Sequence, residues 1–243
     1  MNTELINFAA RAGRVILQDD GAFDRHALEL FALQFQFNLP YRRLAEAKGV
    51  TPSTVQHWTD VPFVPAAAFK EMEVSCIPEE ERTVVFHSSG TTDRMPSRHF
   101  HCRDSLALYE KSLWTAFEEN VAGLSKDYDL VVLAPPPGLA PHSSLVHMFE
   151  TVRRRLAAPE TAFTGELDAG GAWTIDFDAT LSALQAGDSS KLILGTAFSF
   201  VHLLDFLAEN KLRLRLAGAS RGSTPAISPD ERMGLLSPAV GIC

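Results

Sequence analysis

The chain has 243 residues, 46% of them hydrophobic and 21% charged, apolar material enough for one large domain or a domain with a small appendage. The 30 Asp and Glu outnumber 22 Lys and Arg to leave a net charge of −8, which excludes the basic surface of a nucleic-acid or anionic-membrane binder. No apolar run approaches the roughly 20 residues that span a bilayer.

The opening residues, Met1-Asn2-Thr3-Glu4, show neither the basic nor the apolar region of a signal peptide. Three widely spaced cysteines, Cys76, Cys102 and Cys243, argue against a disulfide framework and fit a reducing cytoplasm. Residues 3–17 pattern as a short amphipathic helix with Leu5, Ile6, Phe8 and Ala9 on its apolar side. Residues 23–37 predict a second helix carrying Leu28, Phe31, Leu33 and Phe35. It stops at Asn38-Leu39-Pro40, because the residue before a proline is pushed out of the helical region. Pro40 opens a third helix that Gly49 closes, and Thr51-Pro52 starts a short fourth. Residues 1–60 therefore read as a helical N-terminal cap without a site of their own.

Val61-Pro62-Phe63-Val64-Pro65 is extended, and residues 66–72 make one or two helical turns. The run Val84-Val85-Phe86-His87 then reads as a buried strand that ends abruptly in Ser88, Ser89, Gly90, Thr91 and Thr92. Gly90 admits close approach to the main chain, and hydroxyls and amide N–H groups suit phosphate oxygens. By composition alone a solvated Ser/Thr/Gly turn is the simpler account of the loop. Residues 97–102 alternate as a strand, with His99 and His101 on one side. No second ligand cluster at a familiar spacing supports metal there. Asp104 or Ser105 caps a helix carrying Leu106, Leu108, Leu113, Trp114 and Phe117.

Residues 128–133 are a continuous apolar strand stopped by Pro135-Pro136-Pro137-Gly138. A helix begins near His142-Ser143-Ser144 and ends on Arg153, Arg154 and Arg155, which complement its dipole. The serines beside His142 and His147, Ser143 and Ser144, do not stand in a Gly-x-Ser-x-Gly elbow, so a helix N-cap is a simpler account of them than a hydrolase site. Residues 173–177 predict a strand on which Asp176 and Asp178 share a face, and 179–184 a helix. Residues 191–194 predict a strand, followed by Gly195-Thr196 and a long apolar helix over 198–207. Such alternation from 83 to 212 implies an α/β fold with a mostly parallel sheet flanked by helices. Ligands in these sheets sit at the carboxyl ends of strands, where the loops 88–92, 135–144 and 195–199 would fall. From Ala217 the chain loses periodicity, so 217–243 is expected to be irregular.

The run Phe86-His87-Ser88-Ser89-Gly90-Thr91-Thr92 resembles the phosphate loop of the adenylate-forming enzymes, (Ser/Thr)-Ser-Gly-Thr-Thr-Gly. Val64-Pro65-Ala66-Ala67-Ala68-Phe69-Lys70 precedes it, and Pro96-Ser97-Arg98-His99-Phe100 follows. Pro141-His142-Ser143-Ser144-Leu145 and Leu194-Gly195-Thr196-Ala197-Phe198-Ser199-Phe200 complete the order. In this order the chain resembles, over residues 20–216, the acyl-protein synthetases of the LuxE type (long-chain-fatty-acid–luciferin-component ligases). These are relatives of the phenylacetate–coenzyme A ligases.

The resemblance implies the N-terminal large domain of an adenylate-forming enzyme over 61–216. It implies a cytoplasmic ligase that uses ATP and Mg²⁺ to convert a long-chain fatty acid to acyl-AMP, then passes the acyl group to a protein cysteine. An acyl reductase would be its partner, with no nucleic acid and no membrane span. Transfer to coenzyme A, or an inactive nucleotide- or acyl-binding remnant, are the alternatives. By the same resemblance Ser88, Ser89, Gly90, Thr91 and Thr92 would hold the β- and γ-phosphates. His142, the catalytic candidate, would lie near the acyl carboxylate. Gly195 and Thr196 would border the nucleotide or acyl pocket, and Phe198 and Phe200 would either line an acyl tunnel or pack the core. Asp93 stands where the family's loop has glycine. The family's Gly-Gly adenine segment and aromatic-Gly-x-Ser/Thr-Glu motif have no match in 217–243, so this stretch is expected to be a truncated or frame-shifted tail. Cys243 does not match the family's acyl acceptor.

Overall fold

The computed structural model describes residues 3–15, 23–88, 95–120, 128–158 and 160–214. They fall into two compact units divided between Thr115 and Ala116, with His142–Ser144 belonging to the first. Among the described residues no helix is long and apolar enough to cross a membrane.

The first unit begins with three helices, α1 (Thr3–Val15), α2 (Phe23–Phe37) and α3 (Leu39–Ala47). Leu5 and Phe8 of α1 bury against Leu33 of α2. Two residues back and on the opposite side of α2, Phe31 packs with Tyr41 and Ala45 of α3 and with Val55. The Phe31 and Tyr41 rings meet edge to face, 6.0 Å apart at 88°, the arrangement that the ring quadrupoles favour. The Tyr41 hydroxyl is satisfied by the Pro62 carbonyl at 2.8 Å. Asn38 separates α2 from α3 as an N-cap, its Oδ1 accepting from the Tyr41 amide at 3.3 Å. Gly49 ends α3 with φ at +70°, a conformation open to glycine at little cost.

The helix expected at Thr51-Pro52 does not form. The Thr51 carbonyl accepts from the Thr54 amide and its own amide donates to the Thr54 hydroxyl, both at 3.0 Å. These local bonds close a turn instead of starting a helix. Helical backbone returns as one 3₁₀ turn at Trp58–Asp60 and a short α4 (Ala68–Glu71). Strands β1 (Val84–His87) and β2 (Arg98–His101) then pair antiparallel, with Val84 opposite His101 and His87 opposite Arg98. This hairpin corrects the expectation that the strand before Ser88 lies in the parallel sheet. Helix α5 (Arg103–Asn120) follows and carries the chain across the division.

The second unit is built on β3 (Tyr128–Leu133), the middle strand of a parallel three-stranded sheet between β4 (Thr161–Phe163) and β7 (Ser190–Gly195). Alternate residues of a strand face opposite sides. Leu130, Val132 and Ala134 accordingly pack with Val146 and Phe149 of α6 (Ser144–Leu156). Val131 and Leu133 pack with Leu184 of α7 (Phe177–Gln185) and Leu203 of α8 (Ala197–Glu209). With helices on both faces, the strand reads as an unbroken apolar run.

β5 (Gly165–Leu167) and β6 (Trp173–Ile175) form a separate antiparallel pair. Neither β4 nor β5 stands out in the sequence, because each is three residues long and lacks two full periods. Asp176 is no strand residue: its Oδ1 caps α7, accepting from the Ala179 amide at 2.9 Å. Asp178 lies in that helix's first turn. Gly165 passes so close to the end of β3 that a Cβ would fall 2.2 Å from the Ala134 carbonyl carbon. Asp129 and Lys191, opposite each other on β3 and β7, form an ion pair of 2.6 Å with side chains 11% and 3% exposed.

Two stability outcomes follow from this packing. Asp129→Ala leaves the Lys191 ammonium buried without its partner and is expected to lower unfolding free energy by about 3–5 kcal/mol. Urea titration measures it, and the double variant with Lys191→Met should recover much of the loss. Gly165→Ala is expected to cost about 3 kcal/mol, because the new methyl meets backbone that cannot move aside. An unchanged urea midpoint for that variant would refute the close approach.

Candidate functional site

Of the predicted phosphate-loop residues, Ser89, Gly90, Thr91 and Thr92 lie outside the described residues, as do Asp93 and Cys243. Ser88 is described, at the end of β1. Its amide donates to the Ser97 carbonyl at 3.2 Å, and its hydroxyl accepts from the Ser97 amide at 3.0 Å. Ser88 thus closes the neck of the hairpin and fixes where the loop leaves and returns. Its hydroxyl serves that closure first.

His142 sits against the same strand, 57 residues from its partner Val85. Its Nδ1 lies 3.0 Å from the Val85 carbonyl oxygen, and its own carbonyl accepts from the His87 amide at 2.9 Å. The His142 and His87 rings stack, with centroids 4.6 Å apart and planes 22° apart. Residue 142 therefore docks on β1 by backbone and side chain together. A carbonyl oxygen only accepts, so His142 Nδ1 carries the hydrogen and Nε2 is the basic atom of the neutral ring. The Tyr109 hydroxyl of α5 donates to the Ser144 carbonyl at 3.3 Å and steadies the same segment.

The hairpin neck also carries charge on the face of His87. Arg98, opposite His87, lies 3.2 Å from a Glu73 oxygen, and Arg82 lies 2.8 Å from the other. The Arg82 guanidinium lies 4.1 Å over the Phe100 ring, a favourable cation–π contact. The hydrogen bond from Arg82 and the charges of Arg82 and Arg98 hold Glu73 below the usual carboxylate range, against a smaller opposing effect of desolvation. Burial first, then the nearby His142 and Arg98, press the His87 imidazole below its ordinary value.

Gly195 and Thr196 lie in the second unit, at the carboxyl end of β7. Gly195 is opposite Leu133 on β3, where an added Cβ would stand 3.0 Å from the Leu133 Cβ. Thr196 is the N-cap of α8. Its hydroxyl accepts from the Ser199 amide at 3.0 Å, and the Ser199 hydroxyl donates to the Leu133 carbonyl at 3.0 Å. The loops 135–144 and 195–199 thus leave the carboxyl ends of adjacent parallel strands, as the sequence predicts. Phe200 packs against the Leu184 and Leu203 cluster, whereas Phe198 is 77% exposed.

His99 and His101 are engaged locally, His99 Nε2 with the Ser97 hydroxyl at 3.1 Å and His101 Nδ1 with the Ser105 hydroxyl at 3.3 Å. Among the described residues no three His, Cys, Asp or Glu side chains gather as metal ligands. A cavity of about 480 Å³, lined in part by Leu30, Phe31, Trp58 and Phe63, includes none of the predicted site residues. Sequence reading missed His87 as the neighbour of His142, and Glu73 as the clamp on Arg82 and Arg98. Their partners lie at separations that follow no local period, although His87 stands inside the motif quoted for the loop.

No protein-family model matches the chain, and no curated protein matches it.

The depressed His87 value carries a pH sign. The unfolded chain binds a proton at His87 near the ordinary value of 6.5, while the folded chain resists it. The folded state therefore loses stability as pH falls through that value and below it. His87→Phe is expected to flatten this part of the stability–pH curve, measured by urea midpoints across a pH series.

Proposed function

We propose that the chain activates a long-chain fatty acid with ATP as acyl-AMP and passes the acyl group to a protein cysteine thiol, in the manner of the acyl-protein synthetases it resembles. The observation that carries this reading is the ordered set of motifs around Ser88, His142 and Gly195-Thr196. Two structural facts support it. His142 docks on the strand that ends at Ser88. Gly195 and Thr196 end a strand of a parallel sheet, where ligands of such sheets gather.

In the first step a carboxylate oxygen of the fatty acid bonds to the α-phosphorus of ATP, and the bond to the bridging oxygen breaks. Pyrophosphate leaves with that electron pair. In the second step the thiolate sulfur attacks the acyl carbon and AMP departs. Both steps develop negative charge that positioned donors stabilise. Mg²⁺ in such sites is bound largely by nucleotide phosphates and water, and it neutralises phosphate charge. His142 Nε2, when it carries a proton, is the protein atom suited to meet the carboxylate. Thr196 and Ser199 keep the start of α8 capped, so that Gly195 stays pressed on Leu133.

Incubation with ATP, Mg²⁺, a fatty acid and hydroxylamine is expected to yield ATP-dependent fatty hydroxamate, the trapped form of acyl-AMP. His142→Ala should lower its rate by about a hundredfold. Absence of hydroxamate above the no-ATP control would overturn the proposal. Labelled fatty acid then distinguishes a protein thioester from an acyl-coenzyme A product.

A further inference from the structure

We infer that His87 is a positioning residue for His142, holding its ring in one tautomer and one orientation with Nε2 turned to the reaction. The catalytic consequence rests on the activity proposed above; the geometry does not.

Three contacts define the pose. The Val85 carbonyl takes the Nδ1 hydrogen of His142 at 3.0 Å, the His87 amide donates to the His142 carbonyl at 2.9 Å, and the two rings stack at 4.6 Å. The backbone bond sets where residue 142 lies on the strand edge. The stack sets the plane of the ring, which a single hydrogen bond to a carbonyl would leave free to swing. Together they fix which nitrogen is basic, much as an outer hydrogen bond fixes the tautomer of a catalytic histidine.

The chemistry of the neighbouring groups agrees with such a division of labour. A neutral His142 has a lone pair at Nε2 and nothing there to offer a carboxylate. On gaining a proton at Nε2 it becomes a charged donor that complements one. The groups that face this pair are His87 itself and Arg98, which is opposite His87 and shares Glu73 with Arg82. Burial, His142 and Arg98 all disfavour a charge on His87. A charge on His87 is thus disfavoured where its ring stacks on His142.

Nitrogen-15 spectra of the histidine rings at alkaline pH test this directly, with the His142 signals assigned by their loss in His142→Gln. The wild-type ring is expected to carry its hydrogen on Nδ1. His87→Phe, which keeps a flat ring for stacking, should retain that pattern. His87→Ala should mix the two tautomers and lower kcat for hydroxamate formation about tenfold, with the KM for ATP unchanged. A wild-type His142 protonated at Nε2 would overturn the assignment, and so would a His87→Ala spectrum identical to wild type. Failure of the wild-type chain to make hydroxamate would sink the proposed activity alone, since the ring spectra report the pose without turnover.

Discussion

The second unit depends on concealing both sides of one strand. Leu130, Val131, Val132 and Leu133 are each at most 1% exposed, so neither face of β3 tolerates water. Burying side chains of this size contributes about 1.5–3 kcal/mol each. That demand places α6 on one side and α7 with α8 on the other, and it leaves two loops at the carboxyl ends of β3 and β7. Two hydroxyls caught in the packing are answered in place: the Thr180 hydroxyl donates to the Thr164 hydroxyl at 2.8 Å and the Ser199 hydroxyl to the Leu133 carbonyl. A buried hydroxyl without such a partner would cost more than it returns.

The first unit solves a different problem. A two-stranded hairpin is marginal by itself, and β1 and β2 are four residues each. The hairpin is held by Ser88 and Ser97 at the neck, by the packing of Phe86 beside His101 and Tyr109, and by residue 142 along the free edge of β1. Edge cover and site are the same contact here. The backbone bond that protects β1 also brings an imidazole onto the His87 ring at the end of that strand.

Much of the scaffold was legible in the sequence because its signals are local. Asn38 and Pro40 mark a helix start, Gly49 a stop, and 128–133 a buried strand, each by the chemistry of a few adjacent residues. Short or substituted signals misled. Thr51-Pro52 looks like a helix start, but the Thr51 and Thr54 hydroxyls favour a turn. Asp176 looks like a strand residue, but it caps a helix. Alternation of elements suggests a parallel sheet for the strand before Ser88, but it does not say which strands pair, and β1 pairs antiparallel with β2. At the site, the sequence could place Ser88 and His142 in candidate loops. It could not place His142 on β1, since a bond between residues 57 apart leaves no periodic trace.

Residue 142 also determines how the chain is laid out. The path leaves the first unit after Thr115, returns for His142–Ser144 and leaves again at Leu145. The first unit is therefore discontinuous in sequence: no single uninterrupted segment of the gene encodes it. A fragment stopping at Thr115 would carry the hairpin with its β1 edge bare, and a fragment starting at Ala116 would carry the missing edge residue with nothing to dock on. Synthesis on the ribosome meets the same condition, because β1 emerges more than 50 residues before the segment that covers it. During that interval an unpaired strand edge is open to the wrong neighbour.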